Sequence, residues 1–524
     1  MARTMGPMGT VSFSLASAAQ AGGASSDKEQ RANGSSPAVP LEPRQWQRRL
    51  IQLLRARLVQ DRAGGQDVLI HAGPGAGKTF GALLSFQKLH QEGRLERFVV
   101  LCHRTSIAGQ WRQSAERLGL VLRTWEPDEE SDLTHDPHWH GVLLSYQSAA
   151  RHRQRLEAEG PWAALGPWLA IADEVHHLGL DPEEPEAAAW GHAFSRLTRQ
   201  AALRLGLTGT PFRADNLAFC AARRQAVRDG DQVVEQILPD LCVEPRQLIA
   251  AGDVRPLEFR FQDGWVDHGR PGADGEGSGE SETSPLSAES RESWRARNLR
   301  RAIKLGDRSS IALRLLLGAR RRLERLRESH PHAGGLVIAR DIAHAQTISR
   351  LLEEQGDRVH LVHSQDSEAA NRLAAFRQGE ADWLVSIDMC AEGFDAPRVR
   401  VVAYLTTVVT RSRFLQAITR AVRMDGERAA LEPVPRRPSY VYAPADPLLI
   451  SYARSWSLSE PYLLRSQPVQ ALETPSASAA GRAAQLPLQA IDERAGTLLR
   501  VRGPELPAFL KPNPSLGQTA ARGA

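Results

Sequence analysis

DVLIHAGPGAGKT, residues 67–79, begins with an apolar run of strand length and β-branched character: Val68, Leu69 and Ile70. Gly73, Pro74, Gly75, Ala76 and Gly77 then form a glycine-rich turn, followed by Lys78, Thr79 and a helix-compatible stretch over residues 80–90. Strand, glycine turn, Lys-Thr and helix are the layout of a phosphate-binding loop. Glycine lets backbone N–H groups converge on phosphate oxygens with no Cβ in the way, and the helix N-terminus adds partial positive charge at the same point. In that layout Lys78 reaches the β- and γ-phosphates of ATP, and the Thr79 hydroxyl holds Mg2+. Lysine usage sharpens the reading: the chain is rich in arginine, and its only lysines are Lys28, Lys78, Lys88, Lys304 and Lys511. A compact charge on a flexible stem suits a crowded phosphate cradle better than a planar guanidinium. Ala72 stands where the strict G-x-x-x-x-G-K-T pattern has its first glycine.

Outward from this loop, strand-like runs at residues 68–70, 98–102, 142–145, 169–172 and 203–207 alternate with helical stretches. Such alternation predicts a parallel sheet covered by helices on both faces. A second alternating unit follows, with strand-like runs at 335–339, 359–362, 383–387, 399–405 and 439–442 and helical stretches at 343–355 and 369–378. The fold class is therefore α/β, two parallel-sheet units in tandem. Before the loop, residues 44–60 place Trp46, Leu50, Ile51, Leu54 and Leu58 at helical spacing. Trp46 reads equally well as a stacking platform for a base and as a buried helix anchor.

The first unit is expected over residues 41–245 and the second over 305–445, with a linker at 246–304. Residues 1–40, rich in Gly, Ala and Ser, read as a disordered tail; the run VSFSLASAAQA is too dilute in apolar residues for a signal peptide. Residues 263–289, dominated by Gly, Ser and Glu, read as a disordered insertion within the linker. An Arg-rich helical region spans 291–327, either a solvated face or a surface for nucleic acid. Residues 446–524 form a C-terminal extension that turns loose toward its end.

A chain of 524 residues has room for two or three domains with sizeable cores. Its 42% apolar content is that of a globular protein, and no apolar run reaches membrane-spanning length. A net charge of +5 permits nucleic-acid binding without requiring it. Cys102, Cys220, Cys242 and Cys390 are scattered with no C-x-x-C pair, which argues against a zinc site or a disulfide framework and makes the cytoplasm the simplest location.

The second constellation is LAIADEVHHLG, residues 169–179, where a strand-like run ends in adjacent carboxylates, Asp173 and Glu174. Ligands of parallel sheets bind beyond the carboxyl ends of strands, so Asp173 is expected beside the Lys78 loop as an Mg2+ ligand. Glu174 is then placed to polarise an attacking water.

With these residues in hand the chain resembles the superfamily 2 DExH-type helicases and translocases. Residues 72–79 are similar to the first motif of that family, and Asp173-Glu174-Val175-His176 to its DExH motif. Leu207-Thr208-Gly209-Thr210-Pro211 resembles the third motif, which couples the ATP site to nucleic acid. Arg44-Gln45-Trp46-Gln47 resembles the upstream segment whose glutamine reads adenine, which implies that role for Gln47. VVLCHRTSIAGQW, residues 99–111, and Ser145-Tyr146-Gln147-Ser148 resemble motifs Ia and Ib, implying nucleic-acid contacts at His103, Arg104, Gln110, Tyr146 and Gln147. MCAEGFDAP, residues 389–397, is similar to motif V, implying ATP contacts at Gly393 and Asp395. QAITRAVR, residues 416–423, is similar to motif VI, with Gln416, and Arg420 and Arg423 as arginine fingers; Thr419 occupies its usual glycine position.

The QW ending of motif Ia, the EGFDAP segment and RSRFLQAITR look most like the branch of type III restriction motors, UvrB-like and RadD-like proteins, which act mainly on DNA. The resemblance implies two RecA-like domains, ATP hydrolysis with Mg2+ in the cleft between them, and His176 coupling nucleotide to the third motif through Thr208 and Thr210. It implies a DNA-dependent translocase or helicase, with RNA as an alternative strand. Two rival expectations share this fold: the motor subunit of a restriction, repair or defence complex with a separate nuclease, and a nucleotide-gated nucleic-acid-binding scaffold.

Overall fold

The computed structural model describes residues 42–59, 66–103, 107–125, 138–159, 166–179, 189–209, 219–230, 232–269, 281–306, 310–387, 395–424, 432–457, 462–464 and 489–502. The architecture below belongs to the compact unit Arg44–Ala524. The expected tail at 1–40 lies outside the described residues. No helix among the described residues is long and apolar enough to cross a membrane.

The first part of the chain supplies strands β1 (Asp67–Ala72), β2 (Arg97–Cys102), β3 (Leu122–Thr124), β4 (Gly141–Ser145), β5 (Trp168–Asp173), β6 (Leu203–Thr208), β7 (Arg223–Asp229), β8 (Gln232–Leu238) and β9 (Leu241–Val243). Seven of them form a sheet in the order β3-β4-β2-β5-β6-β1-β9, and every pairing in it is parallel. Parallel strands covered on both faces read as unbroken apolar runs. Here Val68 and Ile70 belong to one core cluster and Leu69 to the other; Phe98 and Val100 divide from Val99 and Leu101 in the same way. Helix Gln45–Val59 buries Trp46, Leu50, Ile51 and Leu54 on a single face.

The order places the carboxyl ends of β5, β6 and β1 side by side. Asp173 pairs with Leu207, and Thr208 with His71. The end of the Asp-Glu strand, the start of the third motif and the phosphate loop thus meet at one edge because of strand order alone.

The second sheet collects β12 (Gly334–Ala339), β13 (Val359–Val362), β14 (Trp383–Ser386), β15 (Val399–Leu405) and β16 (Ser439–Pro444), all parallel where they pair. The ten strand-like runs read from the sequence all form, within a residue or two. Together they give the expected α/β tandem. Helix Ile311–Ser329 lies on this sheet and buries Ile311, Leu315, Leu316, Leu323 and Leu326.

The linker region departs from expectation. Residues 263–289, read as a disordered insertion, are largely structured: β10 (Leu257–Gly269) and β11 (Ser281–Pro285) form an antiparallel hairpin at the edge of the second sheet. β10 first runs parallel to β16, from Leu257↔Ser439 to Gln262↔Pro444, and then pairs with β11. Its other edge is taken by β18 (Gln489–Arg502), which follows β17 (Tyr462–Leu464) and pairs antiparallel with it from Glu258↔Arg502 to Gly269↔Gln489. The C-terminal extension therefore contributes a strand of the second sheet. A buried polar chain holds the hairpin. His268 Nε2–H donates to Asn298 Oδ1 at 2.6 Å, Asn298 Nδ2 to Ser284 Oγ at 3.0 Å, and Ser284 Oγ–H to Glu289 Oε2 at 2.9 Å. Arg291, bonded to Glu289, holds that carboxyl down to about 2. Residues 270–280 lie outside the described residues.

Asn298→Ala should strand His268 and Ser284 without their partner. Leaving buried polar groups unsatisfied costs about 1–3 kcal/mol, and a fall of several degrees in melting temperature measures it. An unchanged melting temperature would mean that the hairpin contributes nothing to the fold.

Candidate functional site

The loop between β1 and helix Lys78–Gln91 needs its glycines for conformation and for space. Gly75 and Gly77 have φ of +77° and +78°, the left-handed region that favours glycine. A Cβ on Gly73 would stand 2.9 Å from Pro245, and one on Gly75 would stand 2.9 Å from Val254. Three donors fasten the loop from outside: Arg44 Nη1 donates to Gly75 O at 2.7 Å, Trp46 Nε1 to Ala76 O at 3.0 Å, and Gln47 Nε2 to Gly77 O at 3.2 Å. No side chain among the described residues caps the following helix, and its first turn carries no acid. Fastened carbonyls, an uncapped helix start and Lys78 make a cradle that fits phosphate oxygens.

Trp46 is thus a buried anchor, not a stacking surface. Gln47, expected to read adenine, is 2% exposed, and its amide spans Gly77 O and the Arg44 N–H.

Facing the loop, Asp173 is buried. Trp111 Nε1–H donates to its Oδ2 at 2.9 Å and the Glu174 N–H to its Oδ1 at 3.1 Å. Burial, then the neighbouring Glu174 charge, push the Asp173 carboxyl up to about 6, against the opposing pull of Lys78. A buried carboxylate with Thr79 on the adjoining helix is a hard oxygen set suited to Mg2+. Glu174 has φ 51° and ψ 59°, the one non-glycine with positive φ among the described residues. Its carboxylate lies 3.6 Å from Lys78 Nζ and 3.5 Å from His176 Nδ1. Burial works to raise the Glu174 carboxyl, but Lys78, His176, His177 and Arg420 together hold it below its ordinary value. His176 Nδ1 is also 3.4 Å from Thr208 Oγ1, so this ring stands between the Asp-Glu strand end and the third motif.

Tyr146, expected among the nucleic-acid contacts, is instead buried at 1% exposure and donates its hydroxyl to Asp173 O at 2.7 Å. It braces β5 from within because the first residue of its helix points into the core, while Gln147 beside it is exposed. Gln110 is half-buried one position before Trp111. His103 stacks on His177, ring centroids 3.7 Å apart. Arg104, Thr210 and Gly393 lie outside the described residues.

The second sheet brings its own residues to the same place. Arg420 sits buried in the turn Thr419–Val422, close enough to Glu174 to help lower it. Arg423 Nη1 is 2.6 Å from Asp395 Oδ1. A Cβ on Gly75 would stand 3.5 Å from Val422 and 3.8 Å from Arg423, so this turn abuts the phosphate loop. Gln416 lies one turn earlier, on helix Arg411–Ile418. Thr419 has φ −74°, open to any residue, and its hydroxyl donates to Leu415 O at 2.5 Å. Glycine is therefore not required there.

Two groups of residues escaped the sequence reading: Arg44 and Trp46 as fasteners of the loop, and Trp111 as the donor to Asp173. The QW pair was visible, but its role depends on a contact spanning 62 positions. His71 was missed as well. Its Nε2–H donates to Gly209 O at 2.6 Å, which leaves Nδ1 to accept from Cys242 Sγ–H at 3.4 Å.

Residues 40–213 match the family model described as "Type III restriction enzyme, res subunit", and residues 318–425 match "Helicase conserved C-terminal domain". An uncharacterized protein of Mycobacterium tuberculosis (strain ATCC 25618 / H37Rv) is 32% identical over 434 residues, 80% of this chain and 64% of that protein. UvrABC system protein B of a Synechococcus species is 34% identical over 110 residues, 21% of this chain and 15% of that protein. Among solved structures, a fragment of a type I restriction enzyme HsdR subunit from Vibrio vulnificus YJ016 superposes with a TM-score of 0.50 at 18% identity, covering 80% of this chain and 67% of that one. The chain belongs to the superfamily 2 helicases and translocases, with two RecA-like units in tandem. It spans 64% of the length of the mycobacterial relative.

Burial, more than the opposing bond to Gly209, pushes the His71 imidazole down to about 4. The unfolded chain takes up this proton near pH 6.5, so the contribution is present above that pH and is lost as pH falls toward 4. A shift of that size corresponds to about 3 kcal/mol. His71→Gln keeps an amide donor for Gly209 without a titrating ring. Melting curves of this variant should fall less steeply between pH 6.5 and 4.5 than those of the parent protein; identical slopes would remove His71 from the acid response.

Proposed function

We propose that this protein is an ATP-driven translocase or helicase acting on DNA, hydrolysing ATP in the cleft between its two α/β units. The observation that carries this reading is the meeting of Lys78, Asp173 and Glu174 from the first sheet with Arg420 and Arg423 from the second. In this reading the fastened loop and Lys78 hold the β- and γ-phosphates. Thr79 and Asp173 would hold Mg2+, which when bound neutralises developing phosphate charge. Glu174, kept ionised by the cations around it, orients the attacking water, and its left-handed backbone sets the direction of the carboxylate. Arg420 and Arg423 offset charge on the γ-phosphate, and Asp395 holds Arg423 in place. His176, between Glu174 and Thr208, passes the state of the nucleotide to the third motif. His103 and Gln147, and Arg104 and Thr210 with them, then contact the strand.

DNA is favoured over RNA by the likeness to restriction motors and UvrB-like proteins. The match to a restriction-enzyme subunit model supports a second reading, in which this motor works inside a larger complex whose nuclease lies elsewhere. Thr419, the one departure from motif VI, has an ordinary backbone conformation, which supports a working motor over a non-motor scaffold.

Lys78→Ala should abolish ATP turnover. Glu174→Gln should keep nucleotide affinity while lowering turnover by roughly 10²-fold or more, in the range of lost positioning and electrostatic stabilisation. Parent-like hydrolysis by Glu174→Gln would end its assignment.

Arg420→Ala and Arg423→Ala should each retain nucleotide affinity within a few-fold and lose about 10²-fold or more in turnover, below the full effect of an arginine finger. Steady-state hydrolysis with and without single-stranded DNA, duplex DNA and RNA measures both this and the preferred strand. Unchanged turnover in both arginine variants would remove the second unit from the chemistry.

A further inference from the structure

Helix Ile311–Ser329 carries more arginines than its own stability needs, and they fall into two groups. Arg320 is 2.7 Å from Asp357, and Arg327 is 2.6 Å from Asp382; these two tie the helix to the sheet. Arg314, Arg321, Arg322 and Arg325 have no carboxylate within ion-pair distance among the described residues. All four line a trough of about 210 Å³ between the helix and the face of β10 and β16, with Arg260 and Tyr442 on the opposite wall. Gly318 forms the floor, where a Cβ would stand 3.2 Å from Tyr442. No acid is among the lining residues, and Glu258, two positions before Arg260 on β10, is already engaged by Arg260 at 2.7 Å and by Arg500 at 2.9 Å.

The wall is built before any ligand arrives. The Arg322 guanidinium sits 4.5 Å over the Tyr440 ring, and Arg260 lies 5.8 Å from the same ring. Stacking fixes the planar fork of Arg322 and reduces what it loses on engaging an anion. Arg314, Arg321 and Arg325 are exposed above it. From Arg314 to Arg325 the row extends about 16 Å along the helix axis. A single phosphate needs no such length, whereas a strand presents a charge every ~3.4 Å of duplex axis. The trough lies on the flank of the second sheet, against β10 and β16, and none of the candidate ATP-site or motif residues lines it.

We propose that this arginine trough is a second nucleic-acid contact, gripping backbone phosphates outside the motif-lined track. The proposal rests on the motor reading given above. It assigns these arginines a sequence-independent grip that holds the strand while the cleft cycles.

The test uses the full-length chain and the variant Arg314→Gln/Arg321→Gln/Arg325→Gln, which leaves the packed Arg322 and the candidate ATP site untouched. Binding of fluorescent single-stranded DNA of about 15 and 60 nucleotides is measured from 50 to 200 mM salt, with ATP turnover recorded alongside. Three lost contacts at ~0.7 each should reduce the salt slope by about 2 units on the long strand. Affinity at low salt should fall about tenfold or more, with basal and maximally stimulated turnover unchanged. An unaltered salt slope on both strands, with basal turnover intact, overturns the trough while leaving the motor reading in place. Tripolyphosphate binding that is lost in the variant with DNA affinity unchanged overturns it in favour of a small-anion site. A parent protein that neither binds DNA or RNA nor is stimulated by either overturns the motor reading, and the trough assignment falls with it.

Discussion

A phosphate loop that turns its N–H groups inward must have its carbonyls satisfied from outside. Arg44, Trp46 and Gln47 do this for Gly75, Ala76 and Gly77, all from the first turn of one helix or the residue before it. Arg44 also reaches Asp253, at 3.3 Å, in the segment that leaves the first sheet for the second. Val254 fills the space against Gly75, and the Arg255 N–H donates to Val422 O at 2.9 Å. The same few residues thus hold the loop, the linker and the arginine turn. Displacing any one of them disturbs the geometry of all three.

The acidic half of the site is secured in a different way. Asp173 is oriented by an indole from below and by the next peptide N–H, and its strand end is braced by Tyr146. These partners come from three separate helical or turn segments, yet each is buried and directional. Preorganisation of this kind spares the site reorganisation when charge moves during reaction. Burial first, and the adjacent Glu174 charge second, raise the Asp173 carboxyl, which is the cost of setting two neighbouring acids into a buried strand end.

Both parallel sheets were legible from sequence because strands covered on two faces leave unbroken apolar runs such as Phe98 to Leu101. The phosphate loop and the Asp-Glu pair were legible because their chemistry is local. β10 was not, although Leu257, Phe259 and Phe261 alternate cleanly with Glu258, Arg260 and Gln262. The Gly/Ser/Glu composition that follows masked a strand whose partners lie far off in sequence, at β16 and β18. The antiparallel strand β7 was missed for a related reason: its exposed, charged sequence, with Arg223, Arg224 and Arg228, carries no buried face to read. Tyr146 was misassigned because spacing within a motif does not say which way a side chain points.

The pairing of β10 with β18 has a consequence for how the chain is made. Every strand of the first sheet lies within residues 67–243, so that sheet can close while the ribosome is still at work. The second sheet spans residues 257–502, and its long strand β10 stays open along one edge until β18 emerges. During that interval a thirteen-residue edge with alternating aromatic side chains is exposed to other nascent chains. Loss of β18 by proteolysis or early termination leaves the edge open permanently, so the solubility of the whole protein depends on a segment synthesised long after the strand it covers.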